Sequence, residues 1–182
     1  CLELGKKTLI MGILNVTPDS FFDGGCYDRT ELAFKRGIQL EDEGADFIDV
    51  GGESTRPSRK HVLSAEDEIK RIVPVIERLA KRLSIPISVD TYKSTVARQA
   101  INAGAEIIND ISGLNFDSRM AELVVKSGVA LVLMHSRGSP EKLHNLTPLK
   151  YPLESVIYNL GQSMKKALQA GIERDQLILD PG

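Results

Sequence analysis

The sequence predicts an α/β fold, a (β/α)8 barrel of the TIM type that stops after its sixth strand. Three observations lead there. Short apolar runs alternate with longer amphipathic stretches, the pattern of βα units around a parallel sheet. A glycine followed by Ala, Val or Ile comes just before a new strand at Gly44-Ala45, Gly104-Ala105, Gly128-Val129 and Gly171-Ile172. The unit therefore repeats at roughly 25 to 45 residues. Finally, each apolar run ends in a polar side chain or a polar loop, which is how parallel α/β enzymes build sites at the carboxyl ends of their strands. An open doubly wound sheet would also take alternating elements, but the Gly-x-Gly-x-x-Gly phosphate turn after a first strand is absent.

In chain order, the first strand is the apolar run that starts near Thr8 and ends in Asn15, followed by a turn-rich loop over 18–27. A helix is expected over 29–43, with Leu32, Phe34, Ile38 and Leu40 among charges, Thr30 as cap and Gly44 as stop. Residues 47–50 form the second strand and run into Gly51-Gly-Glu-Ser-Thr55-Arg56-Pro57 and a loop to Leu63. Ser64 should cap the next helix, with acids in its first turn. Its apolar face is Ile69, Ile72, Val73, Ile76, Leu79 and Ala80, and Pro74 predicts a kink or a break. The third strand, 85–89, delivers Asp90, and a helix follows over 93–102. The fourth, 106–108, delivers Asn109 and Asp110 ahead of a helix over 118–126. The fifth, 130–134, delivers His135, then a loop over 136–151 and a helix over 153–170. The sixth, 177–179, delivers Asp180. Long aperiodic loops on one face of a barrel are expected to be functional.

With 182 residues the chain is expected to form a single domain spanning 1–182. A closed barrel takes about 250 residues, so two strands are expected to be missing. The net charge of −2 gives no electrostatic case for nucleic acid or an anionic membrane surface. No apolar run approaches the roughly 18 residues of a membrane span, and no signal peptide opens the chain. Cys1 and Cys26 offer neither a disulfide framework nor a metal spacing, so a cytoplasmic location is expected. His61 and His144 make no zinc pattern. The first residue is Cys, so the numbering is not expected to begin at a native start.

Two segments carry a resemblance. Asn15-Val-Thr-Pro-Asp-Ser-Phe21 with Asp23-Gly-Gly25, and Gly51-Gly-Glu-Ser-Thr-Arg-Pro57, resemble the signatures of the dihydropteroate synthases. Ser88-Val-Asp90-Thr, Ile108-Asn109-Asp110-Ile111-Ser-Gly113, Met134-His135 and Asp180-Pro-Gly182 follow in that family's order. The resemblance covers essentially the whole chain. It implies a transferase of folate synthesis that joins 6-hydroxymethyl-7,8-dihydropterin diphosphate to para-aminobenzoate, releases pyrophosphate, needs Mg²⁺ and is a sulfonamide target. It further implies that Asn109 and Asp180 hold the pterin edge, that Asp90 faces the ring, and that Ile111 and Met134 form an apolar floor. Asn15 would bind Mg²⁺ or the diphosphate. Phe21 and Asp23 belong to one loop, and Thr55, Arg56 and Pro57 to a second, that carry para-aminobenzoate, with Arg56 either pairing with Asp23 to order the loops or contacting the diphosphate. The family's seventh-strand Lys and eighth-strand Arg-x-His have no counterpart here.

The residue chemistry agrees with this. A pterin presents a row of N–H donors beside acceptors, and a carboxylate can accept two parallel N–H bonds from it. An amide can both donate and accept. Loss of diphosphate leaves a carbon beside an electron-rich ring, so a dissociative substitution is expected, with Asp90, Asp180 and Asn15 stabilising charge and no nucleophilic side chain required. A general-base role for His135 is the weaker reading, because an aryl amine is already nucleophilic. Two alternatives remain at this level: a methyltetrahydrofolate-binding domain of a methyltransferase, and a pterin-binding module without catalysis. The chain alone is expected to be inactive, and a homo-oligomer is possible.

Overall fold

The computed structural model describes residues 5–17, 26–53, 63–138 and 150–182. Strands and helices alternate: β1 (Met11–Asn15), α1 (Cys26–Asp42), β2 (Phe47–Gly51), α2 (Ala65–Ala80), β3 (Ile87–Asp90), α3 (Ser94–Ala103), β4 (Ile107–Asp110), α4 (Met120–Ser127), β5 (Ala130–Met134), α5 (Pro152–Ala170) and β6 (Leu177–Asp180). A 3₁₀ turn, Arg174–Gln176, leads into β6. The strands form one sheet in the order β1-β2-β3-β4-β5-β6, each pair parallel. A doubly wound sheet reverses its strand order at a switch point. This sheet never reverses, and six consecutive neighbours are the arrangement of a barrel wall.

Register and the two-residue period of strands separate the two faces. Leu14, Ile48, Val50, Ile87, Val89, Ile108, Leu131 and Leu133 are buried and cluster with Ile72, Ile76, Leu79, Val96, Met120 and Val124 of the helices. This outer layer is the hydrophobic core. The opposite, inner face carries the polar side chains. One row across it runs Asn15, Gly51, Asp90, Asn109, Val132, Ile178, in lateral register from strand to strand. The row beneath runs Ile13, Asp49, Ser88, Ile107, Ala130. Such rows are the stacked layers of a barrel interior.

The glycine stops hold: Gly44, Gly104, Gly128 and Gly171 all take left-handed φ, from 71° to 116°. Ser64 caps α2, its Oγ accepting from the Asp67 N–H at 3.1 Å. No break occurs at Pro74, since α2 runs through it as one element. The buried face of Ile72, Val75, Ile76 and Leu79 offsets the missing hydrogen bond. Thr30 is not a cap. α1 begins at Cys26, a turn earlier than the apolar periodicity indicates, which leaves Thr30 inside the helix.

Candidate functional site

The inner face opens at the carboxyl ends of the strands into a cavity of about 600 Å³. Asn15, Asp90, Asn109, Ile111, Met134 and Asp180 all line it. Six residues expected to share one pocket therefore do, although they lie as much as 165 positions apart in sequence. Phe21, Asp23, Thr55, Arg56 and Pro57 lie outside the described residues, as do His61 and His144.

Each group is held by a specific local device. Gly51 separates Asn15 from Asp90 in the upper row, and a Cβ there would stand 3.2 Å from Asp90 Oδ2 and 3.6 Å from Asn15 Oδ1. The missing side chain is what lets the carboxylate and the amide share that space. Asp180 accepts the Gly182 N–H at Oδ1 (2.9 Å), a local turn that sets the carboxylate's direction. The backbone N–H of His135 bonds to the Asp180 carbonyl at 2.8 Å, tying the ends of β5 and β6 together. Ile111 is placed by its neighbour. The buried Asp110 carboxylate accepts from Ser112 N (2.8 Å), Ser112 Oγ (2.6 Å) and Leu114 N (2.9 Å), folding a turn in which both Gly113 and Leu114 have positive φ.

Carboxylates cluster on one side of the cavity, while His135 and Arg137 line another part. Burial, then the charge of Asp49, then Glu68, Glu53 and Asp110, push the Asp90 carboxyl well above the usual carboxylate range. Burial also raises Asp49, opposed by the nearby Ser88 hydroxyl and by Asn109. Two carboxylates this close titrate as a pair. Among the described residues, no three His, Cys, Asp or Glu side chains are grouped to hold a metal. Asn15 offers an amide oxygen to the cavity, and a hard cation held there would need further oxygens from a ligand and water.

Asp49 is the cavity-lining residue that strand-end reasoning overlooked. It sits in the middle of β2, only 5% exposed, and Asn109 Nδ2 donates to its Oδ2 at 2.9 Å. The available signal was a carboxylate inside an otherwise apolar strand, a placement that demands a partner. A second overlooked cluster lies behind Asp90. Lys93 Nζ bridges Glu53 Oε2 (2.6 Å) and Glu68 Oε2 (2.5 Å), while Glu53 Oε1 accepts the Leu63 N–H (2.8 Å). His135 lines the cavity wall, and its Nε2 is buried without a partner among the described residues.

Comparison with known proteins places this geometry. Residues 11–182 match the family described as pterin binding enzyme. The dihydropteroate synthase of Bacillus subtilis (strain 168) is 49% identical over 181 residues, covering all of this chain. The match takes in 61% of that relative, so the chain spans about three fifths of its length. A solved dihydropteroate synthase of Clostridium difficile, in the presence of pteroic acid, superposes with a TM-score of 0.91 at 39% identity, covering all of this chain and 66% of that one. One from Xanthomonas albilineans, with 4-aminobenzoic acid, gives 0.89 at 40% identity, covering 97% of this chain and 62% of the other.

Proposed function

The chain belongs to the pterin-binding enzyme family, and from that premise we propose that the protein containing it is a dihydropteroate synthase of folate synthesis. It condenses 6-hydroxymethyl-7,8-dihydropterin diphosphate with para-aminobenzoate to give 7,8-dihydropteroate and pyrophosphate. The observation that supports this best is the convergence of Asp90, Asn109 and Asp180 from three separate strands on one cavity. Their oxygens are acceptors, and the amino-pyrimidinone edge of a pterin is a row of N–H donors. Ile111 and Met134 supply an apolar surface for the ring.

The bond from the pterin methylene to the diphosphate oxygen breaks first, and the electron pair leaves with pyrophosphate. The methylene is left cationic, conjugated with the dihydropterin ring. The neutral aryl amine then attacks that carbon, and one of its protons is lost to water or a basic group. Asp90 and Asp180 act on the cation: carboxylates in a confined site stabilise positive charge far better than in bulk water. Asn15, an oxygen donor, would hold a magnesium ion brought in with the diphosphate, and that ion would neutralise charge on the leaving group. Thr55, Arg56, Pro57, Phe21 and Asp23 remain the residues proposed for para-aminobenzoate, by resemblance. The site is proposed to work in the cytoplasm, on small-molecule substrates. Among the described residues no helix is long and apolar enough to cross a membrane.

The test is pyrophosphate release by the intact gene product. Release that depends on para-aminobenzoate and is inhibited by a sulfonamide is expected. Tight pterin binding with no such release would replace this reading with a non-catalytic pterin-binding module. Methyl transfer from methyltetrahydrofolate would replace it with a methyltransferase domain.

A further inference from the structure

Asn109 has two faces, and the cavity could in principle meet either one. Its amide can present an acceptor oxygen or a donor NH₂ to a ligand, and the two differ by a half-turn of the side chain. What decides between them lies one layer deeper. Asp49 belongs to the row beneath the site, two residues before Gly51 on β2, and its Oδ2 stands 2.9 Å from Asn109 Nδ2. An ionised carboxylate only accepts. If the amide turned over, its oxygen would face a carboxylate oxygen at hydrogen-bond distance, both buried, a strongly unfavourable contact. With Asp49 ionised, the NH₂ therefore points down at its carboxylate, the 2.9 Å contact of the structure. Asn109 Oδ1 is consequently directed away from Asp49, and it is buried with no protein partner among the described residues. Buried acceptors left open in a cavity wall are costly unless a ligand donates to them.

We propose that Asp49 is a positioning residue, which locks the Asn109 amide so that its oxygen is offered to an N–H of the bound heterocycle. This rests on the proposed pterin-binding reading. It deepens that reading by naming what makes the Asn109 side of the pocket an acceptor surface. Asp49, Asn109, Asp90 and Asp180 together then select a ring edge rich in donors and reject one that places a lone pair against Asn109.

The experiment measures the affinity of the intact gene product for 6-hydroxymethylpterin by calorimetry, with thermal melts to confirm folding of each variant. Asp49→Asn is nearly isosteric but removes the constraint, because the introduced amide can donate or accept and the Asn109 amide can then turn over. Affinity is expected to fall roughly tenfold or more. Asn109→Asp places two carboxylates against each other and should fall by at least as much. In the exchanged pair D49N/N109D, the new amide donates to the new carboxylate, whose outer oxygen is again an acceptor. The pair is expected to recover about tenfold or more over N109D alone. Unchanged affinity in a folded D49N, or losses that simply multiply in the exchanged pair, would overturn the positioning role while leaving the pterin site intact. No affinity of the wild-type protein for the pterin would overturn the functional reading on which it rests.

Discussion

Asp90 sits where burial and neighbouring charge both work against its ionised form. A group whose folded-state pKa is raised stabilises the fold fully below its unfolded pKa, about 3.9 for Asp. That stabilisation disappears as pH rises through the folded pKa, so at neutral pH the carboxylate opposes folding. Asp90→Asn removes the charge and keeps the shape. The variant is expected to melt at a higher temperature than wild type at pH 7 to 8, by about 1 kcal/mol or more of stability. The difference should shrink toward pH 3, where Asp90 is protonated in both states. Turnover should move the other way, falling about a hundredfold or more, because the carboxylate that stabilises the cation is gone. Differential scanning calorimetry across that pH range, paired with pyrophosphate release, checks both signs. A variant less stable than wild type at pH 7 would show that the Asp90 charge is compensated by something other than its described neighbours.

The elements show which signals are local and which are not. The stops of α3, α4 and α5 were readable because each needs one residue, a glycine in the left-handed region, next to the last turn. The start of α3 was read to within one residue, but the group that satisfies its first turn was not. Lys93 occupies its cap position without a side-chain cap bond, and the first-turn N–H of Ser94 goes instead to Asp117 Oδ2 at 2.9 Å, across 23 positions. Burial raises the Asp117 pKa, but hydrogen bonds from Arg119 and Ser94 outweigh it and hold the carboxyl well below its usual range. Lys93 meanwhile turns to Glu53 and Glu68, joining the turn after β3 to the loop after β2 and to α2. Such a pair has no spacing rule, so pattern reasoning took Lys93 only as the start of a helix. The site residues at strand ends were legible because periodicity reveals strand ends. Asp49 and this ion cluster were not, because only the folded register brings them to their partners. Glu68 is 1% exposed, so losing its cation leaves a buried charge. Lys93→Met is expected to destabilise the protein by about 3–5 kcal/mol in urea unfolding. Adding Glu68→Gln should restore a substantial part of that. A double variant no more stable than K93M would mean that Lys93 acts through Glu53 or through packing on Tyr92, whose ring lies 4.7 Å from Nζ.

At the scale of the whole molecule the balance of burial is uneven. The β2–β5 side of the sheet is sealed: Ile48, Val50, Val89, Ile108, Leu131 and Leu133 are essentially inaccessible. The flanks are not. Among the described residues, β1 pairs only with β2, and β6 only with β5. On β1, Ile13 is 61% exposed on the inner face, with Met11 beside it at 38%, and Leu179 on β6 is 46% exposed. Along α5, Leu153, Ile157 and Tyr158 are each more than 60% exposed. Two unpaired parallel edges next to apolar surface form a template for association. As a free polypeptide, these 182 residues are therefore expected to self-associate. Light scattering should report a mass above 20.0 kDa that rises with concentration. Among the described residues nothing pairs β1 with β6, so in this polypeptide the cation is expected to be solvated and the electrostatic advantage of a confined site lost. Turnover by this polypeptide is accordingly expected to be slow or absent even where pterin binding survives. The discriminating variant is Ile13→Lys, which places a charge on the exposed part of the β1 edge without touching the outer core. It should lower the measured mass toward the monomer. A wild-type sample that stays at 20.0 kDa across concentrations and releases pyrophosphate would show that the open flanks are closed by contacts among residues outside those described.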